Sequence, residues 1–377
     1  MKIYFNSKTK YRSQITDHKP PTTDNRQRTT DKTRNKHNEK AKTGNEKLNN
    51  DKRETRKIMS DETKRNDLRI IFMGTPDFAV ASLKAMVEAG YNIVGVITAP
   101  DKPAGRGMKL TASAVKKYAA ENGLRILQPE KLKNADFLNE LRSLNADLQI
   151  VVAFRMLPEI VWNMPRLGTI NVHGSVLPQY RGAAPINWAV INGERETGVT
   201  TFKLQQEIDT GNILLKETFA IDENETAGDV HDRMKDIGAQ LLLRTIEGLK
   251  DGSLQEVEQM VFVEKTSLKH APKIFTETCI IDWSKTVEEV HNLIRGLSPY
   301  PGAIATLQGK MLKIYKSEKE PFANEEKGQQ KTGATFETDG KNYLKFVCAN
   351  GFIHAKEVQL EGKKRISIED FLRGYRF

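Results

Sequence analysis

The sequence predicts an α/β protein: a Rossmann-like domain with a mostly parallel sheet, followed by a small C-terminal β-barrel of OB-like build. Three observations predict it. From Leu68 to about residue 255, short apolar runs alternate with helix-spaced segments. Beyond residue 272 the pattern changes to short alternating strands separated by Gly, Asn and Lys turns. The chain of 377 residues is long enough to bury two cores.

The elements follow in order. LRIIFMG (68–74) is an apolar run ending in Gly-Thr-Pro, a buried strand feeding a turn. FAVASLKAMVEA (78–89) has helical spacing and stops at Gly90, and YNIVGVIT (91–98) is a second strand. Strand, helix, strand at this spacing is a parallel βαβ unit. Helices are expected around 112–121 and 134–144, with an apolar segment near 125–127 between them. ADLQIVVAF (146–154) and GTINVHGS (168–175) are further buried strands. In the C-terminal part the expected strands are ETCIIDW, AIATLQ, MLKIYKSE, TGATFETDG, NYLKFVC and GFIHAKEVQL, entered through the Pro/Gly-punctuated connector GLSPYPGA. The expected division is a basic disordered extension over 1–67, a catalytic domain over 68–256, a linker over 257–272 and a barrel over 273–377.

The net charge of +10 suggests a nucleic-acid partner until its distribution is read. Residues 1–66 hold 19 basic and 9 acidic residues, the whole of the excess, and the rest of the chain is neutral with 40 of each. Bulk charge is therefore no argument for nucleic-acid binding by the folded body. Residues 1–66 have almost no apolar residue after Ile15 and are expected to be disordered, either a basic arm or an irrelevant tail, with Met59 a plausible natural start. The two cysteines, Cys279 and Cys348, form no CxxC and have no His pair nearby, which gives no support to a disulfide framework or a structural zinc site. No apolar run reaches the ~20 residues of a membrane span, and no secretory h-region is present, so a cytoplasmic protein is expected.

Chemistry concentrates in INVHGSVLPQYRGAAPINWA (170–189). Asn171 and His173 stand two apart on a strand, so both point to one face. They read either as polar residues satisfying a strand end or as donors to an oxyanion. Asp209, in QQEIDTGNIL (205–214), reads either as a turn former or as a charged partner. No Ser sits in a GxSxG elbow and no Cys is near, so a site built from these three suits a substrate that brings its own nucleophile, such as an amine. Gly74 alone makes no GxGxxG fingerprint, which argues against a nicotinamide dinucleotide.

NVHGSVLPQYRGAAP, with EIDTG downstream, closely resembles the folate-dependent formyltransferases. The resemblance runs from residue 68 to the end and also includes RIIFMGTPDFAV, PDKPAGRGMKL, PKIFTETCIIDW and IRGLSPYPGA. The Asn-x-His-x-Ser-x-Leu-Pro motif is shared with hydrolase relatives. The GTPDFA start, the AGRG loop and the C-terminal domain make the chain most similar to members that formylate methionyl initiator tRNA for translation initiation. Two departures stand out: Phe154-Arg155-Met156 replaces a Tyr-Gly pair of many members, and residues 1–66 have no counterpart.

The resemblance implies 10-formyltetrahydrofolate as donor, no metal, methionyl initiator tRNA as partner and a monomer. It implies that the amine attacks the formyl carbon while Asn171 and a protonated His173 stabilise the oxyanion of the tetrahedral intermediate, and that Asp209 supports the imidazolium. Ser175, Val176, Leu177 and Pro178 resemble the stretch lining the folate site, and residues 154–157 and 205–208 flank the pterin pocket. Arg106 and Lys109 of the AGRG loop are expected at the tRNA acceptor end, with Lys313, Lys316 and Lys345 of the barrel on the tRNA body. The alternatives are transfer to a small amine (glycinamide ribonucleotide or an amino-sugar nucleotide), transfer to water as in a formyltetrahydrofolate hydrolase, and a non-catalytic RNA-binding protein. The intact Asn/His/Asp set weighs against the last.

Overall fold

The structure, a computed structural model, describes residues 67–104, 109–262, 267–322 and 335–377. The expectations for residues 1–66, Met59 and Arg106 therefore lie outside the described residues.

Strands β1 (Arg69–Gly74), β2 (Asn92–Ile97), β3 (Ile126–Leu127), β4 (Leu148–Val152), β5 (Thr169–His173), β6 (Glu196–Lys203) and β7 (Ile213–Ala220) form one sheet. Its order is β7-β6-β5-β4-β1-β2-β3. β1 to β5 are parallel, and β6 and β7 close the edge antiparallel. In β1, Ile70, Ile71, Phe72 and Met73 are all buried, as expected of a strand covered on both faces. The chain first builds outward from β1 to β3, then crosses back to β4 and β5. That reversal puts a crevice at the carboxyl ends of β1 and β4, beside the end of β5.

The covering helices are α1 (Asp77–Glu88), α2 (Ala114–Glu121), α3 (Ala135–Ser143), α4 (Glu159–Trp162), α5 (Pro185–Ile191) and α6 (Ala227–Asp251). α2 and α3 lie where the sequence predicts them, and their starts are capped by the side chains of Ser113 and Asn134. α6 opens with a reciprocal Thr226/Asp229 capping box and ends at Gly252 in the left-handed region. Its Gly238 faces Val172 and Val199, where an added Cβ would already meet each valine at 3.3 Å. This close approach lets the helix back the two strands that carry the site.

The C-terminal part has strands β8 (Ala303–Leu307), β9 (Lys310–Pro321), β10 (Phe336–Thr338), β11 (Leu344–Cys348), β12 (Gly351–Leu360) and β13 (Ile366–Ser367). They form an antiparallel sheet of order β8-β9-β12-β11-β10, with β13 on β12. Among the described residues its two edges do not pair with each other, so the sheet is a half-barrel. Helix α7 (Val287–Gly296) packs on β9 and β12, and α8 (Ile368–Gly374) packs on β12. Trp283 stacks on Phe346 at 4.5 Å within this second core. ETCIIDW, expected as a strand, instead makes a 3-10 turn at Glu277–Cys279. Ile280 bridges to the sheet at Ile304, and Asp282 then accepts from the backbone and hydroxyl of Ser284 to turn the chain.

The two parts meet through backbone and charge. Asn187 donates to the Gly296 carbonyl at 2.8 Å, and the Gly228 N–H donates to the Ser298 carbonyl at 3.0 Å. Lys319 of β9 reaches Glu223 and Glu288, each at 2.6 Å.

Candidate active site

His173 is the last residue of β5 and is 6% exposed. Its Nε2 lies 3.0 Å from the carbonyl of Tyr180. A carbonyl can only accept, so Nε2 carries a proton and the other ring nitrogen faces the opposite way. That nitrogen, Nδ1, lies 3.8 Å from Oδ2 of Asp209. The edge of the ring is held by Phe202 of β6, at a centroid distance of 6.4 Å and an interplanar angle of 83°.

Asp209 sits in the turn between β6 and β7 with φ of +55°, a left-handed conformation that costs a non-glycine residue about 1 kcal/mol or more. Its Oδ2 accepts from the N–H of Gly182 at 3.0 Å. Gly182 has φ of +127°, and a Cβ there would stand 2.4 Å from the Ala271 carbonyl. Glycine is therefore required where this backbone donor approaches the carboxylate. Gly182 and Arg181 pair in parallel with His270 and Ala271.

Asn171 is half-buried on β5, paired with Val151 on one side and Phe202 on the other. Strand alternation puts it on the face of His173. His173 and Asp209 are brought together from positions 36 apart in sequence by the antiparallel pairing of β5 with β6. The sequence contains no signal for that proximity other than the motifs themselves.

The stretch 175–178 is mainly interior. Ser175 and Leu177 are fully buried, Pro178 is buried, and Val176 is half-buried. The Ser175 hydroxyl donates to the Gln179 carbonyl at 2.6 Å. Thr200 of β6 links the segment to the sheet: its hydroxyl donates to the Ser175 carbonyl at 2.7 Å and accepts from the Leu177 N–H at 3.1 Å. These hydrogen bonds hold the loop in place. The loop at 153–157 follows β4, with Phe154 and Leu157 packed on the core and Met156 exposed. Arg155 donates to the carbonyls of Glu130 and Pro129 and lies over the Phe154 ring, and burial lowers the pKa of its guanidinium from the ordinary value. Ile208, beside Asp209, is also exposed, so two loops bordering the crevice each present an apolar side chain to solvent.

Three residues that the sequence did not single out complete the frame. Tyr180 has φ of +59°; its N–H donates to the Lys269 carbonyl at 2.7 Å and its hydroxyl to Glu194. Burial pushes that phenol's pKa well above the usual tyrosine range, so it remains a donor. Thr200 and Gln259 are the other two. Tyr180 stands inside the chemistry-rich stretch; Gln259 lies in a polar segment with no pattern to mark it.

Among the described residues no cluster of His, Cys, Asp and Glu could hold a metal ion, and no helix is long and apolar enough to cross a membrane. Lys109 begins a short strand, Lys109–Thr111, paired with Lys102–Ala104 in a hairpin beyond β2. Lys313, Lys316 and Lys345 lie on β9 and β11, but two of them have protein partners: Lys313 donates to the Pro301 carbonyl, and Lys345 pairs with Glu320 and Glu337.

Residues 68–246 match the formyl transferase family, and residues 273–376 match the formyl transferase C-terminal domain. The chain is 56% identical over 319 residues to a methionyl-tRNA formyltransferase of Phocaeicola vulgatus, covering 83% of this chain and 97% of the relative. It is 51% identical over 317 residues to one from Bacteroides fragilis, covering 83% and 96%. In fold it is similar to WlaRD, a sugar 3N-formyl transferase, with a TM-score of 0.56 and 24% identity over 79% of this chain and 99% of that one. Identity above one half, carried through nearly the full length of such relatives and across both matched regions, makes this chain a member of the formyl transferase family, in its methionyl-tRNA formyltransferase branch.

Proposed function

We propose that the chain transfers the formyl group of 10-formyltetrahydrofolate to the α-amino group of methionyl initiator tRNA, in the cytoplasm. The observation that carries the chemistry is the pairing of His173 with Asp209, 3.8 Å apart at the carboxyl end of a parallel sheet, with no side-chain nucleophile in the motif. The amine supplies the electron pair that forms the new C–N bond. The bond from the formyl carbon to N10 of the folate then breaks, N10 takes up a proton and the amine loses one. Asn171 is a donor for the oxygen that gains charge; His173, whose Nε2 is engaged by the Tyr180 carbonyl, donates through Nδ1 in its doubly protonated form, and Asp209 balances that charge as the protons move. Orientation of the two substrates supplies much of the remaining acceleration.

In this reading 175–178 contributes to the folate site through its backbone, because Ser175 and Leu177 are interior. Met156 and Ile208 border the pterin from opposite loops. Residues 68–256 hold the chemistry and 273–377 hold tRNA, with Arg106 and Lys109 at the acceptor end. Lys316 is the best placed of the three barrel lysines, since Lys313 and Lys345 are already engaged within the protein. The protein acts as a monomer.

The test is incubation with formyl-labelled 10-formyltetrahydrofolate and, in separate reactions, methionyl initiator tRNA, glycinamide ribonucleotide, an amino-sugar nucleotide and no amine. Label is expected on the tRNA. Label on a small amine, or release of formate without an acceptor at a comparable rate, would replace the acceptor named here.

A further inference from the structure

We infer that Gln259 is a positioning residue for the Asp209 carboxylate, an inference that rests on the reading of Asp209 as a participant in formyl transfer. Gln259 lies in the stretch that joins the two family-matched regions and is covered by neither match. It follows Val257, which exchanges two backbone hydrogen bonds with Ile213 of β7, at 2.8 and 2.9 Å. That bridge brings the segment back from α6 onto the site.

The Gln259 side chain is 3% exposed, and its hydrogen-bonding capacity is fully used. Its Nε2 donates to the carbonyls of Asp209 at 2.9 Å and Gly211 at 2.8 Å, bracketing the turn on either side of Thr210. Its Oε1 accepts from Nε and Nη2 of Arg181, at 3.0 and 2.6 Å. Arg181 directly precedes Gly182, whose N–H holds the Asp209 carboxylate at 3.0 Å. One buried amide therefore ties together both anchors of Asp209: the backbone of its own turn and the strand that supplies the donor to its side chain.

The turn needs this support. Asp209 adopts a positive φ, and such conformations persist only where surrounding structure over-determines them. Without the amide, the buried Gly211 carbonyl and the part-buried Asp209 carbonyl lose their donor, and Arg181 loses its acceptor. The turn then relaxes, and the carboxylate leaves its place beside Nδ1 of His173. A displacement of this kind, on the order of 1 Å, can cost about 100-fold in rate without touching the substrate.

The experiment uses the full chain with 10-formyltetrahydrofolate and methionyl-tRNA. Q259M keeps the shape of the side chain and removes all four hydrogen bonds. Q259E keeps the acceptor for Arg181 and sets a carboxylate oxygen, in place of the two donors, against the Asp209 and Gly211 carbonyls. Each variant is made alone and on a D209A background, with thermal midpoint, kcat and KM for the folate donor measured. Expected are folded variants with kcat lower by about 10- to 100-fold, KM changed by less than about 3-fold, and no more than about a 2-fold further loss on the D209A background. Equal losses with and without Asp209 would overturn the inference, since the amide would then act elsewhere. So would kcat within about 2-fold of the parent in both folded variants. If neither variant folds, the amide serves the fold and the inference is likewise overturned. A D209A single variant with parental kcat is a separate result, which removes the role of Asp209 itself.

Discussion

At the scale of the residue, His173 is held by three contacts that differ in kind: a backbone carbonyl on Nε2, a carboxylate facing Nδ1, and an aromatic edge on the ring. Two of the three would survive loss of the imidazole without leaving a buried charge, because the Tyr180 carbonyl and Phe202 are uncharged. Substitution of His173 by alanine is therefore expected to leave the fold intact while lowering single-turnover formylation by about 100-fold or more. The measurement is rapid-quench formylation of methionyl-tRNA with saturating folate donor, alongside the circular dichroism spectrum. Parental single-turnover rates in the alanine variant would take His173 out of the chemistry. The motif made His173 and Asn171 visible in the sequence, because alternation on a strand requires them to share a face. Asp209 was visible only as one reading of an Asp-Thr-Gly turn. The structure puts it in that turn and also 3.8 Å from His173, and proximity across an antiparallel strand pair is not encoded in local pattern.

At the scale of the element, a short parallel pairing, residues 181–182 with 270–271, joins the loop that follows β5 to the segment entering the C-terminal part. Neither partner has a strand pattern in sequence. Each is two residues long, and the segment 257–272 was expected to be a plain linker because its composition is polar and aperiodic. Its described residues, 257–262 and 267–272, are tied by tertiary bonds: Lys269 to Tyr180 and Gln179, Ala271 to Ala184, and Gln259 to the Asp209 turn. α7 does carry a local signal, the Thr286-x-x-Glu289 capping box with apolar Val287, Val290 and Ile294, but the helix has only 10 residues and lies between short strand-like runs, so its periodicity is weak in sequence. The βαβ units, by contrast, were legible because a parallel sheet demands uninterrupted apolar runs. A direct test of the short pairing is Gly182→Ala. The added Cβ meets the Ala271 carbonyl at 2.4 Å on a backbone with φ of +127°, so a loss of about 2–5 kcal/mol is expected, together with lower turnover. Urea denaturation followed by tryptophan fluorescence measures the first. Unchanged midpoint and turnover would mean that the 270–271 segment can withdraw from the site at no cost.

At the scale of the whole molecule, the two halves are joined by a charged contact built around the buried α7. His291 is 3% exposed; its Nδ1 meets the Ser317 hydroxyl at 2.9 Å, and its Nε2 has no partner among the described residues. Burial lowers its pKa from the ordinary 6.5, and the neighbouring Lys319 and Arg295 push in the same direction, while Glu288 opposes them. The same two cations reach across to the catalytic part, Lys319 to the Glu223 side chain and Arg295 to the carbonyl of Glu225. A group with a depressed pKa in the folded state binds its proton more readily when unfolded, so ν for the unfolded chain exceeds ν for the native one below pH 6.5. The stabilising share of the neutral imidazole is thus fully present above about pH 6.5 and is lost as pH falls from there toward the lowered folded value, by at most about 1.4 kcal/mol per pH unit for one proton. The halves are expected to loosen together in this window, because the group that must take up a proton lies next to the cations that bridge them. Urea denaturation between pH 7 and pH 5.5 on the parent and on His291→Gln isolates this residue from the other histidines titrating in the same range. Glutamine keeps a partner for Ser317 and cannot protonate, so its stability should fall less steeply with acid than the parent's. Identical slopes in the two proteins would show that His291 takes no part in the pH dependence, and would leave the acid sensitivity of the joint to its carboxylates.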